Sequence, residues 1–186
     1  MGVLSECEYK KISMGHIFYR FMDEKAYMDN IFSFIQAGIE NKQQILIIEN
    51  MRNLPKVQAF IDASFKENKN SNIRLVNNYE YYLSKGDFST HNIVSHFAKD
   101  LSYLNDCKST IRTWAHVEWS SSKPTEELVK EFECVADNFV KDSKILSVCA
   151  YPSARLNSNL NLALEEFHQY VMTDSTLSLS SIYRNL

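Results

Sequence analysis

Two short stretches constrain this chain more than any others. Residues 44–48 read QILII and residues 145–151 read ILSVCAY. Nearly continuous apolar runs of this length are the mark of strands covered on both faces, as in a parallel sheet sandwiched by helices. Between and around them lie segments with helical periodicity. In residues 24–40 the apolar stripe is Tyr27, Ile31, Phe34, Ile35 and Gly38, opened by Asp23 as a cap. In the next helix Asn53 is the expected cap, with Pro55 in the first turn and Val57, Phe60, Ile61 and Phe65 inward. Residues 90–107 carry Ile93, Val94, Phe97, Leu101 and Leu104. After the loop at Ser120–Pro124, Leu128, Phe132, Val135 and Phe139 form the expected core face of a further helix. A last helix is expected over 158–172, with a weak edge strand near 177–183. Strands fill the gaps at 14–21, 73–76 and 110–117.

This alternation predicts an α/β fold in three layers, a mainly parallel sheet with helices on both faces. The chain has 186 residues, 45% of them hydrophobic, enough for one domain. We read residues 1–13 as a loose polar arm and 14–186 as a single domain. Ligands in such sheets gather outside the carboxyl ends of the strands. By sequence those ends carry 20–25, Glu49-Asn50, 77–82, 116–122 and 151–155.

The stretch 110–119, TIRTWAHVEW, stands out at that edge. Alternation puts Ile111, Thr113, Ala115 and Val117 on one face and Arg112, Trp114, His116 and Glu118 on the other, about 7 Å between neighbours. Such a row either reads a ligand or satisfies itself as a polar network. The segment Tyr79, Tyr81, Tyr82 with Trp114 and Trp119 suits a pocket for a small organic ligand, or ordinary aromatic packing.

Several chemistries lack support. A formal net charge of −3 and a pI near 6.0 argue against a dedicated nucleic-acid binder. The first strand-to-helix turn, FMDEKAY at 21–27, has no glycine, and no Ser or Thr follows Lys25. Asp23 and Glu24 would repel a triphosphate there, so a functional phosphate loop is not expected. No two of Cys7, Cys107, Cys134 and Cys149 have CxxC spacing, and Cys134 and Cys149 read as small core residues. His16, His116, Glu118 and His168 are candidate metal ligands, but none forms a helical pair, and each alone reads more simply as a hydrogen-bonded residue. His91 and His96 point about 140° apart on a helix. No GxSxG elbow is present near Ser120–Ser122. Of Glu131 and Glu133, one is expected to face a site and the other solvent. The start, MGVLSECEYKK, fits neither a signal peptide nor the myristoylation pattern, and no run of 18 apolar residues occurs. The expectation is a cytoplasmic chain with reduced thiols.

Taken together, these residues resemble the MEDS domain, a sensory domain named from methanogens, methylotrophs and the dichloromethane-responsive regulator. The features that carry the resemblance are His16 in the first strand and FIQAGI at 34–39 with the strand after it. Tyr82…Gly86-Asp87-Phe88, Arg112…Glu118-Trp119, Glu131 and Glu133, Cys149-Ala150-Tyr151 and His168 complete it. Gln169 follows His168 where the family tends to carry proline. The resemblance spans about residues 14–172. It implies a RecA/KaiC-like fold without a functional P-loop and a non-enzymatic role in sensing small hydrocarbon derivatives, with no cofactor. It also implies a partner such as a histidine kinase or transcription regulator. The expected ligand-binding set is His16, Arg112, His116, Glu118, Trp119, Tyr151 and His168. A homodimer is compatible with this reading. The alternatives are an enzyme using His116 and Glu118 as acid–base groups or His16 and His168 as metal ligands, and a ligand-free interaction module.

Overall fold

The computed structural model describes residues 10–65, 72–83, 88–104, 109–119 and 124–184. Most of the polar arm, Cys7, Cys107, the polar turn after Phe65, the Lys85-Gly86-Asp87 turn and the loop 120–123 lie outside the described residues. Seven strands form one sheet in the order β3-β2-β4-β5-β1-β6-β7. They are β1 (Gly15–Phe21), β2 (Gln44–Glu49), β3 (Ile73–Asn77), β4 (Ile111–His116), β5 (Leu146–Pro152), β6 (Tyr170–Met172) and β7 (Leu177–Leu179). All pairs are parallel except β6 with β7. The helices are α1 (Glu24–Glu40), α2 (Leu54–Ser64), α3 (Asn78–Tyr82), α4 (Thr90–Leu104), α5 (Glu126–Ser143) and α6 (Ser158–Phe167).

The expected three layers are present. One face of the sheet packs Ile17, Tyr19, Ile45, Ile47, Trp114 and Val148 against α1 and α2. The other packs Phe18, Leu46, Ile48, Ala115, Cys149 and Tyr151 against α3, α4, α5 and α6. The strands β2, β4 and β5 are buried almost throughout, as two-sided coverage requires. The polar arm is tied in at its end: Lys10 pairs with Glu40 and Ile12 packs on the α1 side.

Local signals decide most helix ends. Asp23 caps α1 by accepting from the Ala26 N–H at 2.7 Å, and Thr125 caps α5 through the Leu128 N–H. At α2 the expected cap is corrected. Asn53 makes no side-chain cap bond; instead the Asn50 side chain accepts from the Arg52 and Asn53 N–H groups. Gly38 lets α1 come close to the sheet, since a Cβ there would lie 2.6 Å from the Ile45 side chain and 2.8 Å from that of Arg112.

Two further expectations are corrected. The last helix stops at Phe167, and residues 170–172 pair with Ile17–Tyr19 as β6. The aromatic and β-branched Tyr-Val there suit a strand, and β1 would otherwise be left with an open edge. The core face of α5 is rotated by about one residue. Val129, Phe132, Glu133, Asp137 and Val140 are buried, while Val135 is exposed. The rotation turns two carboxylates toward the sheet.

Candidate functional site

Each strand's alternation sends its polar residues to a definite face, and the expected ligand set divides between two. His16, Trp119, Tyr151 and His168 lie on the α5/α6 side, whereas Arg112 and His116 lie on the α1 side. Glu118 follows His116 at the carboxyl edge.

On the α1 side most polar groups pair with one another, while His116 Nε2 makes no hydrogen bond. His116 Nδ1 lies 2.6 Å from Glu49 Oε1. The Tyr27 hydroxyl donates to Glu49 Oε2 at 2.5 Å and accepts from Trp114 Nε1 at 3.0 Å. Burial pushes the His116 imidazole down, but the Glu49 hydrogen bond and charge outweigh it, so its pKa sits above the ordinary value. Glu118 accepts from Asn78 at 2.9 Å and faces His116 Nε2 at 3.6 Å. Arg112 lies at the amino end of β4, remote from that edge. Its guanidinium is fully buried, donating to Gln43 at 2.7 Å and to the Phe34 carbonyl at 3.0 Å, and it stacks on the Phe34 ring. These bonds make it a tie between β4 and the end of α1.

The β1–α1 turn is where a strand-to-helix phosphate loop would lie. Here the Asp174 carboxylate occupies the anion position. It accepts from the Met22 and Asp23 N–H groups, each at 3.0 Å, and from the Tyr19 hydroxyl at 2.8 Å. Lys25 points into solvent and pairs with Asp29. The turn thus holds an anion supplied by the chain itself.

The α5/α6 side carries a denser cluster. His16 from β1, Cys149 from β5, Glu133 from α5 and His168 at the end of α6 are all buried, and one ligand atom from each lies within 4.8 Å of the others. His16 Nε2 is 3.3 Å from Cys149 Sγ and 3.7 Å from Glu133 Oε2, and His168 Nε2 is 3.4 Å from the same oxygen. The two imidazoles stack with centroids 3.8 Å apart. Tyr151 donates to Glu133 Oε1. Burial raises the pKa values of the Glu133 carboxyl and the Cys149 thiol. Burial, with the neighbouring His16, holds His168 well below its ordinary value. Trp119 lies beyond Tyr151, against Phe88.

Sequence reasoning left Glu133 undecided against Glu131, read Cys149 as plain core, and missed Asp137. The available signal was spacing: Val129, Glu133, Asp137 and Val140 fall on one helical stripe, so two carboxylates take core positions.

Next to the cluster, an apolar cavity of about 30 Å³ lies between the sheet and α4 and α5. Tyr81, Tyr82, Ile93, Phe97, Phe132 and Ala136 are among its walls, and His16, Ser147 and Cys149 are among its polar lining. A space of that size exceeds the ~10–15 Å³ that one water needs. A wider concavity of mixed lining at the carboxyl edge is bounded by Arg20, Ser153, Asn157, Asn161 and Asp174 together with Met22, Leu156 and Leu162. Among the described residues, no helix is long and apolar enough to cross a membrane.

Comparison with solved structures places the architecture. A KaiC-like protein from the hyperthermophilic archaeon Pyrococcus horikoshii superposes with a TM-score of 0.58 at 12% identity, over 87% of this chain and 71% of that one. A second solved structure, an ATPase domain, gives 0.59 at 8% identity, over 93% of this chain and 75% of that one. No curated protein matches significantly. The chain is therefore an α/β domain of the RecA/KaiC-like class, with a side-chain carboxylate on the turn that follows its first strand. Residues 15–169 match the family described as MEDS, the MEthanogen/methylotroph, DcmR Sensory domain. The chain belongs to that family.

Proposed function

We propose that this protein is a non-enzymatic sensory domain that takes a small, mostly apolar organic molecule into the cavity between the sheet and α4/α5. Occupancy is passed to a partner protein, such as a histidine kinase or transcription regulator. The observation that carries this reading is the cavity itself, walled mainly by aromatic and aliphatic side chains, with a few polar residues, among them His16, Ser147 and Cys149. Apolar walls with a few placed polar groups are what small-ligand sites look like. Its small volume favours a ligand of a few heavy atoms, in keeping with the hydrocarbon derivatives that the family resemblance implies. Membership of a sensory family supports the regulatory role. A ligand here switches the domain only by binding one arrangement of α4 and α5 better than another.

The test is methyl-resolved NMR of the full chain titrated with short-chain alcohols and haloalkanes. Saturable shifts at Ile93, Ala136 and Val140 are expected, and Ala136→Phe, which fills the cavity, should abolish them while the fold persists. Shifts that survive in folded Ala136→Phe, or no saturable shift with any compound, would overturn the proposal.

A further inference from the structure

We propose that His16, Glu133, Cys149 and His168 bind a divalent transition metal, zinc by preference, in a site with four protein ligands. The inference stands on the geometry of the cluster and its hydrogen bonds, and holds whether or not the neighbouring cavity takes an organic molecule. His168 Nδ1 lies 2.7 Å from the Leu164 carbonyl. A carbonyl only accepts, so that nitrogen carries the proton and Nε2 presents a lone pair. His16 Nδ1 likewise faces two acceptors, the Phe167 carbonyl at 3.3 Å and Asp137 Oδ1 at 3.5 Å, which directs the Nε2 lone pair inward. Both inward lone pairs meet Glu133 Oε2. Neither that oxygen nor His168 Nε2 completes a hydrogen bond, though both are fully buried. Cys149 Sγ closes the fourth side.

Without metal, the Cys149 thiol supplies the proton shared with His16 Nε2 and Glu133, and a cation would take its place among the four donors. The donor set admits the cation, the stacked imidazoles splaying apart so that both nitrogens reach it. Zinc holds nitrogen and oxygen ligands at about 2.0–2.2 Å and sulfur at about 2.3 Å in a tetrahedron, which puts neighbouring ligand atoms about 3.3–3.6 Å apart. Three of the six pairs here measure 3.3, 3.4 and 3.7 Å, and all four atoms lie within 4.8 Å of one another. Imidazole and thiolate with one carboxylate is a zinc-type donor set. A thiolate and a carboxylate would balance the two positive charges, the thiol and carboxyl protons leaving to solvent as the metal enters.

The surroundings match those of metal-bound histidines, whose second nitrogen is held by a carboxylate or carbonyl. Asp137 serves His16 in this way. It is itself anchored by Lys141 at 3.0 Å and by the Tyr183 hydroxyl at 3.2 Å. Tyr151 orients the carboxylate through its other oxygen.

The experiment uses the full chain, stripped with chelator under reducing conditions and titrated with Co²⁺ alone, then Zn²⁺. One equivalent of cobalt should give intense visible bands of a tetrahedral site together with a near-ultraviolet thiolate charge-transfer band, and zinc should displace it. The charge-transfer band should vanish in Cys149→Ser and persist in Cys134→Ser. Glu133→Gln and His168→Gln should weaken uptake more than ~10-fold, and Asp137→Asn, which keeps all four ligands, by ~10–100-fold. Circular dichroism of each stripped variant checks the fold, and should the ligand variants unfold, wild type and Asp137→Asn decide. No stoichiometric uptake by the folded wild type would overturn the assignment. So would a charge-transfer band that survives in Cys149→Ser, or affinity unchanged in Asp137→Asn.

Discussion

Replacing Asp174 with alanine removes one carboxylate that accepts three hydrogen bonds. Bonds to a charged acceptor are each worth about 1.5–3 kcal/mol, and a buried donor left unpaired costs about 1–3 kcal/mol. The three donors are not equal. The Tyr19 hydroxyl is fully buried, so its proton would face no water and the loss approaches about 2–3 kcal/mol. Met22 and Asp23 are exposed, so their N–H groups rehydrate and each loses less than about 1 kcal/mol. The sum is about 3–4 kcal/mol, a large part of the ~5–15 kcal/mol that holds a typical domain together. Tyr19→Phe removes the costly donor in advance. In that background Asp174→Ala should cost about 1–2 kcal/mol, a coupling of about 2 kcal/mol. Urea unfolding of the four proteins measures it, provided the slope is common to all. A loss below about 1 kcal/mol, or strictly additive losses, would refute the assignment of Asp174 as the anion that the turn is built around.

Gly38→Ala should destabilise by about 1–3 kcal/mol, because the new methyl meets the Ile45 and Arg112 side chains; a neutral effect on the thermal midpoint would contradict that packing. The His116–Glu49 pair should leave a pH signature. The His116 pKa is raised in the fold, so its stabilisation is fully present below the ordinary histidine value of about 6.5 and fades as pH rises through the elevated value. The stability difference between wild type and His116→Gln should therefore shrink from about pH 6 upward, and a pH-independent difference would count against the ion pair.

How far the sequence reached depends on the kind of information each feature needs. Helix α1 was legible to both its ends, because Asp23 and the stripe from Tyr27 to Gly38 are local signals. The buried strands were legible from their unbroken apolar runs. The division of 110–119 into two faces also held: Arg112, Trp114 and His116 do share a side. What the sequence withheld was which rows of different strands share that side. His16 and His116 are both even-numbered, yet they face opposite layers, because the parity of one strand carries no information about another until register and order are set. The α5 rotation is similar. Val135 and Phe139 are as apolar as Val129 and Val140, so periodicity alone left the helix free to turn by one residue. The partners of Glu133 and Asp137, His16 and His168, lie far away in sequence. The end of α6 was missed because residues 170–172 become a strand only when β1 offers an edge.

That edge has a consequence for assembly. The strand IFYRF is formed near the start of the domain, but its second neighbour and its two sealing side chains come from His168 to Asp174, some 150 residues later. Until that segment is synthesised, β1 presents an open, apolar edge of the kind that pairs with other chains. The turn after it also holds N–H groups with no acceptor. β6 covers this edge, and β7, only three residues long with a half-exposed, serine-bearing face, leaves little for a stranger to extend. Folding is thus completed from the far end of the domain backward, and a nascent chain stalled short of Asp174 would be an aggregation hazard instead of a partly working sensor.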